Sequence, residues 1–363
     1  MPTQTRKRSL VARVLVGTGV ALASGFLLYK YARHKMDEAE RERASKRHAK
    51  QNIKVRFEQL QKDCFASVSR LLPLASSQLF PIANVESVTT QLQNLRGTKE
   101  NSNEDAKRVK KELWEDLKIA SFTRTLSAIY ILNFINILSH VQLNIMGRFT
   151  YLASVSPSLE PLSSETQMHF LNFSYFIVHE GMYVYVARVK AAVESVFFGV
   201  SVSSELSSED LAQKIAYIRE SVESFVNSTN ESGLGEFLLP KVGTEDEMLA
   251  QAHGVTLSTA FASNSILRSL VAELRDFVDS LDFGEVMKAC LDKSFSLFEA
   301  HLKANLFPAE VDAPEPEKIT EITSGEVEPK RVKLASTLPA VSRFAGELLA
   351  GEQCRTLTVE FHL

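Results

Sequence analysis

The chain has 363 residues, of which 45% are hydrophobic and 23% charged, and its formal net charge is −3. This length is enough for one large or two ordinary domains with a substantial core. The small net charge excludes a global electrostatic reason to bind nucleic acid. Three widely separated cysteines, Cys64, Cys290 and Cys354, form no CxxC pair. We therefore expect reduced thiols rather than a disulfide framework.

The first part of the chain is organised around one uncharged stretch. Residues 1–13 form a short basic N-terminus, residues 14–32 a predicted transmembrane anchor, and residues 33–50 a highly charged stalk. The anchor just spans a bilayer if the flanking Arg and Lys side chains extend to the interface. A cleaved signal peptide and a mitochondrial presequence are the alternatives. An uncleaved anchor is favoured because apolar residues continue beyond the candidate cleavage site at residues 21–23.

The distribution of positive charge predicts the orientation of the chain in a membrane. Residues 1–13 contain four Lys and Arg residues, whereas residues 30–50 contain eight. The side with more positive charge tends to remain in the cytosol. We therefore expect a single-pass protein whose bulk faces the cytosol.

Residues 51–363 are predicted to form one cytosolic bundle of helices. The first helix has apolar residues at three- and four-residue spacing, and Pro73 is expected to end it. A short helix at residues 85–95 and a polar loop at residues 96–106 follow. The next helix is predicted to run from about residue 107 to at least residue 140.

The uncharged middle of that long helix, residues 125–139, raises the question of a second membrane span. The stretch is too short to cross a bilayer comfortably. Polar side chains also recur along the helix at helical spacing: Asn133, Asn136, His140 and Asn144. A helix buried in the bundle is therefore the favoured interpretation.

The following segments are also predicted as helices separated by breaks. Residues 153–165 are a predicted loop, and residues 166–199 are a predicted long and deeply buried helix. Ser207 and Asp210 have the spacing of a capping box at the start of the next helix. Residues 227–235 are predicted to break that helix.

The last part of the chain continues the helical pattern. Helices at residues 257–281 and 284–307 are predicted to join near residues 282–284. The proline- and acid-rich residues 308–329 are predicted to be a disordered loop, and residues 331–351 a last amphipathic helix. Because strand signals are almost absent, the predicted fold class is all-α.

The chain contains no recognisable catalytic or metal-binding motif. GxGxxG, P-loop, GxSxG and HExxH patterns do not occur. His169 and His179 lie on an aromatic-rich predicted helix, where core or surface histidines are more common than metal ligands. We expect no enzyme activity, no cofactor and no metal. A membrane-anchored enzyme whose active site is assembled from distant residues is the alternative.

Two blocks on the long helix carry a family resemblance. LWEDLKIASFTR at residues 113–124 and VQLNIMG at residues 141–147 resemble the peroxin-3 family of peroxisomal biogenesis factors. ESVTTQLQN at residues 86–94 is similar to a short helix of that family. SLDFGEVMKACLDKSFSLFE at residues 280–299 fits the family pattern SxDFxxVLxxCLxxxFxxL. The resemblance covers residues 50–350 in outline.

The resemblance implies a twisted long-helix bundle with an N-terminal membrane anchor helix, located in the peroxisomal membrane. It also implies a docking receptor for the chaperone peroxin-19, supporting insertion of peroxisomal membrane proteins. In the family, a hydrophobic groove takes the amphipathic N-terminal helix of peroxin-19. A scaffold that binds inheritance or autophagy adaptors is the alternative function. In either case, residues 14–32 would contact membrane lipid.

Six residues are implied as the groove that binds peroxin-19: Thr89, Leu92, Trp114, Leu117, Lys118 and Asn144. Trp114 is the expected anchor because tryptophan supplies a large contact area and an N–H group. Its charged sequence neighbours indicate a helix end near solvent, although a lone tryptophan is often a core residue. Leu117 shares its helix face, and Lys118 is expected to pair with an acidic ligand residue.

The remaining groove residues are expected around that anchor. Thr89 and Leu92 would form the opposite wall, and Asn144 matches a polar position of the family in the same region. Two features depart from the family pattern. The insert at residues 99–111 is long, and Arg148 stands where a second glycine is common. The insert is expected to reshape one edge of the site, and Arg148 is expected to narrow the site or change its charge.

Overall fold

A computed structural model of the chain describes residues 61–97, 104–155, 160–224, 233–256, 258–307 and 330–350, together with Val55, Glu58 and Gln59. Within this part of the chain nearly all residues are helical, which confirms the all-α prediction. The predicted basic N-terminus, membrane anchor, stalk and acid-rich loop lie outside the described residues. The chain divides into two units, residues 1–61 and residues 62–363, and the helical bundle belongs to the second.

One long helix forms the centre of the bundle. Helices α1 (residues 62–82) and α2 (Val85–Gly97) precede α3 (Glu104–Val155), which has 52 residues. At about 1.5 Å per residue, α3 contains roughly 78 Å of helix. Every residue of α3 from Ser121 to Ser139 is buried. The sequence therefore located this helix correctly, but it begins earlier and ends later than predicted.

The apolar part of α3 is a core helix rather than a lipid-facing one. Among the described residues, α3 is the one helix that is long and apolar enough to cross a bilayer. However, 89% of its most apolar window is buried inside the fold. Asn133 and Asn136 are buried with it, and the Asn133 Nδ2 atom donates to the Ser294 hydroxyl at 3.0 Å. The prediction of a bundle helix is confirmed.

The remaining helices surround α3, and α5, α10, α11 and α12 pack directly against it. Their bounds are α4 (Ser164–Leu171), α5 (Met182–Val196), α6 (Ser208–Glu223), α7 (Gly235–Leu238), α8 (Glu245–His253), α9 (Ala260–Ser263), α10 (Ser265–Val278), α11 (Leu281–Leu306) and α12 (Leu334–Leu349). Two strands of two residues each, β1 (Glu205–Leu206) and β2 (Val332–Lys333), pair antiparallel. Strands this short have no alternating pattern that a sequence could reveal.

The predicted long helix at residues 166–199 is present, but it is not regular. Between α4 and α5 the chain forms a 3₁₀ turn, Asn172–Ser174, and a π-helical turn, Ile177–Gly181. The predicted capping box is confirmed at the start of α6. There the Ser207 N–H donates to the Asp210 carboxylate at 3.0 Å, and the Asp210 N–H donates to the Ser207 hydroxyl at 3.1 Å. These hydrogen bonds lower the pKa of Asp210.

The predicted end of the first helix at Pro73 is wrong. The helix continues through this proline to residue 82. An interior proline costs about 3 kcal/mol because it removes one backbone hydrogen bond and crowds the preceding turn. Four apolar side chains of α1 are fully or almost fully buried on one face: Val68, Leu72, Ala75 and Leu79. Their packing outweighs the local preference of the proline.

The predicted junction at residues 282–284 is also wrong. The break lies at Asp279 and Ser280, and residues 282–284 form the first turn of α11. The Ser280 hydroxyl accepts a hydrogen bond from the Phe283 N–H at 3.2 Å and caps this helix. The sequence-based prediction did not recognise Ser280 as this cap. The predicted helix at residues 257–281 is two helices, because Asn264 caps α10 in the same way.

Neither of the two cysteines in the described part of the chain forms a disulfide. Cys64 and Cys290 are both buried, and Cys354 lies outside the described residues. Burial raises the pKa of Cys290 to about 11. Since the thiolate is the reactive form, this thiol is expected to be chemically inert at neutral pH.

Candidate functional site

Helix α2 runs antiparallel to the first part of α3. The Arg124 Nε atom donates to the Ala83 carbonyl at 3.0 Å, and the Arg124 guanidinium forms an ion pair with Glu86. The start of α2 therefore lies beside Arg124. The seven peptide links from Gly97 to Glu104 span at most about 25 Å. A parallel α2 would end roughly 48 Å along α3 from Glu104, so only the antiparallel arrangement fits.

This hairpin brings together five of the predicted groove residues. Counted from the Arg124–Glu86 pair, Leu92 lies about 9 Å along α2 and Leu117 about 10 Å along α3, so both lie at one level. Trp114 lies about one turn beyond Leu117. We call this group the hairpin site: Thr89, Leu92, Trp114, Leu117 and Lys118.

Trp114 occupies an intermediate position between core and solvent. Its side chain is half-buried, whereas Leu92 and Leu117 are buried. With 3.6 residues per turn, Trp114 is rotated about 60° from Leu117 and about 40° from Lys118 around α3. The indole therefore lies between the face of α3 that packs on α2 and the face that carries Lys118. The neighbouring residues do not seal it inside the protein.

A cavity lies beside this part of α3. Its volume is about 440 Å³. The lining residues come from α3 and from the end of α5 with the segment that follows: Lys111, Glu115, Lys118, Ile119, Glu194, Phe197, Phe198, Gly199, Val200 and Ser201. Phe198, at the edge of the cavity, is 88% exposed. The cavity thus combines apolar surface with both signs of charge, although Trp114 itself is not among its lining residues.

Lys118 does not have the role expected from the sequence. Its side chain is only 1% exposed. The ammonium donates to the Val200 carbonyl at 2.7 Å and to the Phe197 carbonyl at 3.4 Å, and it forms an ion pair with Glu115. The chain's own groups therefore satisfy this charge. These contacts hold the segment after α5 against α3.

Asn144 is not part of the hairpin site, which corrects the expectation that it lies in the same region. Asn144 follows Trp114 by 30 residues of continuous helix, about 45 Å of helix length. It is exposed, and its Nδ2 atom donates to the His140 carbonyl at 2.9 Å. The resemblance linked the two blocks in sequence, but it did not take the length of the intervening helix into account.

The two predicted departures from the family pattern lie at opposite ends of α3. Residues 104–111 of the insert form the first two turns of α3, and residues 99–103 lie outside the described residues. Arg148 forms an ion pair with Glu273 on α10. Arg148 therefore changes the charge near α10 and not at the hairpin site.

Electrostatic contacts fix the position of the hairpin site in the bundle. The side-chain hydrogen bonds from Arg124 lower the pKa of Glu86 below its ordinary value of 4.5. The same guanidinium lies 4.3 Å from the centre of the Phe80 ring, a favourable cation–π distance. Arg124 thus connects α1 and α2 to α3. In the part of the chain that the structure describes, no cluster of three His, Cys, Asp or Glu side chains is arranged to hold a metal ion.

Comparison with known proteins decides the family. The Peroxin-3 family model matches residues 4–107, 97–166 and 156–359, which is nearly the whole chain. The chain belongs to the Peroxin-3 family. Peroxisomal biogenesis factor 3 of Rattus norvegicus is 29% identical over 358 residues, covering 93% of this chain and 90% of the relative. The Homo sapiens protein of the same name is 29% identical over 359 residues with the same coverage.

A yeast relative is more distant. Peroxisomal membrane protein PEX3 of Komagataella phaffii is 24% identical over 280 residues, covering 64% of this chain and 60% of the relative. Membership of the Peroxin-3 family confirms the resemblance found in the sequence. It assigns the chain to peroxisome biogenesis and membrane-protein import, at the peroxisomal membrane.

Sequence reasoning missed several residues of this candidate site. Phe198, Glu115 and Ile119 line the cavity, but none was selected from the sequence. The sequence did contain a signal for Phe198. Phe197 and Phe198 are adjacent at the end of a predicted buried helix, and a helix end cannot bury both rings equally. Glu115 lies three residues before Lys118, a spacing that allows ion pairs within a helix.

Proposed function

We propose that this member of the Peroxin-3 family is a docking receptor for peroxin-19 and that the hairpin site binds the amphipathic N-terminal helix of peroxin-19. The observation that carries this proposal is the half-buried Trp114 beside a cavity of about 440 Å³ at one end of the α2–α3 hairpin. The proposed role is recognition and requires no bond-making chemistry. Cargo carried by peroxin-19 would then be released for insertion into the peroxisomal membrane.

Recognition of a helix in a groove requires apolar anchors, rigid walls and a few polar groups. The buried Leu92 and Leu117 support the wall on which Trp114 stands. Phe198 adds an exposed aromatic ring on the other side of the cavity. Lys111 and Glu194, both exposed in the cavity wall, are available to the polar face of the ligand helix.

Replacement of Trp114 by alanine tests this assignment. Truncation of a central aromatic anchor at an interface typically costs about 2–4 kcal/mol of binding free energy. We therefore expect Trp114→Ala to weaken binding of a peptide with the peroxin-19 N-terminal helix by that amount in a calorimetric titration. Tyr217→Ala is the control because Tyr217 is an exposed aromatic residue on α6. Equal affinity of wild type and Trp114→Ala would contradict the proposal.

A further inference from the structure

A second cavity lies near the other end of α3, where this helix meets α10 and α11. Its volume is about 390 Å³, and its apolar lining consists of Ile137, Val141, Phe277, Phe283 and Val286. We call it the corner cavity. Ile137 and Val141 follow Trp114 by about 35–40 Å of helix. The corner cavity is therefore separate from the hairpin site, and nothing in the proposal for peroxin-19 bears on it.

Exposed apolar side chains extend beyond the corner cavity. Leu281 is 88% exposed, Val286 is 53% exposed and Phe277 is 45% exposed. Large apolar side chains grouped on a surface mark interaction sites more often than isolated ones do. These three come from the end of α10 and the start of α11, so the apolar surface covers two helices. A surface of this extent suits a helix better than a small molecule.

The corner cavity also has a negatively charged edge. Glu273, Asp276 and Asp282 line it. Residues 273–286 contain five acidic residues and one basic residue, Arg275. That arginine donates to the Glu245 carboxylate at 2.9 Å. Glu273 is paired with Arg148, whereas Asp276 and Asp282 make no ion pair within the described part of the chain.

Two distant sequence blocks meet at the corner cavity. Val141 begins the block VQLNIMG, and the fixed positions of the pattern SxDFxxV are Ser280, Asp282, Phe283 and Val286, all of which line the cavity. Asn144 follows Val141 by three residues and therefore lies on the same face of α3.

We propose that the corner cavity docks a cationic amphipathic helix of a partner protein. The apolar face of that helix would fill the cavity, and its Lys or Arg side chains would lie over Asp276 and Asp282. Complementary charge of this kind selects partners and speeds their association. An anionic lipid surface is disfavoured because it would face the acidic edge. A second copy of this chain is disfavoured because a twofold contact would bring two acidic edges together.

The test uses the full-length chain in nanodiscs of zwitterionic lipid, with empty nanodiscs as the blank. The probe is a synthetic amphipathic Leu/Lys peptide of about four helical turns that carries a photoreactive leucine. We expect it to bind and to cross-link to the start of α11 or the end of α10. A Leu/Glu peptide of the same pattern is expected not to bind.

Two double variants locate the site. Phe277→Ser with Val286→Ser removes exposed apolar surface, and Asp276→Asn with Asp282→Asn removes charge. Each is expected to weaken binding of the Leu/Lys peptide about tenfold, the change produced by losing roughly 1.4 kcal/mol. Since these side chains are exposed or at the surface, thermal unfolding should change little and would reveal a misfolded variant.

Matched controls decide whether the effect is local. Glu209→Gln with Glu220→Gln removes two exposed charges from α6 and is expected to leave binding unchanged. Undiminished binding in both double variants, or equal weakening by the α6 variant, would overturn the proposal. So would vesicle binding or self-association of the full-length chain that depends on Phe277 and Val286, because the occupant would then be lipid or a second copy.

Discussion

At the scale of single residues, the buried ammonium of Lys118 is the most consequential charge near the hairpin site. A charge removed from water is expensive unless it is paired and hydrogen-bonded. Here Glu115 and the carbonyls of Phe197 and Val200 supply those partners. The same contacts determine where Phe198 stands. Lys118 therefore affects recognition through the position of its neighbours rather than through a contact of its own.

Replacement of Lys118 by methionine should reveal this role. The variant keeps most of the side-chain volume but leaves the Val200 carbonyl and Glu115 without the Lys118 donor, whereas the Phe197 carbonyl still accepts from the Val200 N–H at 3.1 Å. Loss of partners for buried polar groups costs about 1–3 kcal/mol. We expect the free energy of unfolding in urea to fall by that amount. Lys111→Met is the control because Lys111 is exposed on the same face of α3, and equal losses in both variants would refute the assignment.

At the scale of elements, the π-helical turn Ile177–Gly181 brings two elements unusually close. A Cβ atom built on Gly181 would lie 1.9 Å from the Phe237 carbonyl oxygen on α7. Only a glycine permits this approach. The segment predicted as one deeply buried helix at residues 166–199 is helical but buries only part of its surface, since Tyr183 and Val184 are exposed. Its irregular turn depends on α7, which lies far along the chain. Local sequence contains no signal for such a contact.

Gly181→Ala tests the importance of this close approach. Alanine is ordinarily favoured over glycine in a helix by about 1 kcal/mol. Here the new methyl group must displace backbone, and overpacking typically costs about 1–3 kcal/mol. We expect a lower free energy of unfolding in chemical denaturation.

Gly346→Ala provides the matched comparison for Gly181→Ala. Gly346 lies inside α12, and a Cβ atom there would meet nothing within 4 Å. This substitution is expected to raise the free energy of unfolding by about 0.4–1 kcal/mol. If both alanine variants were stabilised alike, the contact between Gly181 and Phe237 would not constrain the fold.

At the scale of the whole molecule, periodic apolar patterns predicted most of the bundle. They located α2, α6 and α12 because each buries one continuous face, and α3 because its long uncharged middle is buried on all sides. They misplaced helix ends at two points. At Pro73 the packing of α1 outweighs the helix-breaking residue, and at Ser280 the helix cap lies before the predicted junction. Five of the predicted groove residues lie on the short segments that form the α2–α3 hairpin, and their role in binding remains a prediction. Asn144 was misplaced because the sequence pattern did not show that one continuous helix separates it from Trp114.

The orientation of the molecule remains a proposal that a fusion protein can test. The excess of Lys and Arg in residues 30–50 supports a single span with the bundle in the cytosol. We expect a fluorescent protein fused to the C-terminus to mark peroxisomes and to be digested by protease added to intact organelles. The same fusion without residues 1–35 should be diffuse in the cytosol. Peroxisomal targeting of the truncated fusion, or mitochondrial targeting of the full one, would contradict the anchor.

The unbroken course of α3 between Trp114 and Val141 has a mechanical consequence. This continuous helix fixes the distance between the hairpin site and the corner cavity. Two ligands could therefore bind at the same time without steric overlap. One polypeptide could occupy both places only if its two helical segments were joined by a tether. At 3.3–3.6 Å per extended residue, a gap of about 35–40 Å requires at least roughly ten to twelve tether residues. A shorter tether would force the two segments to compete instead of cooperating.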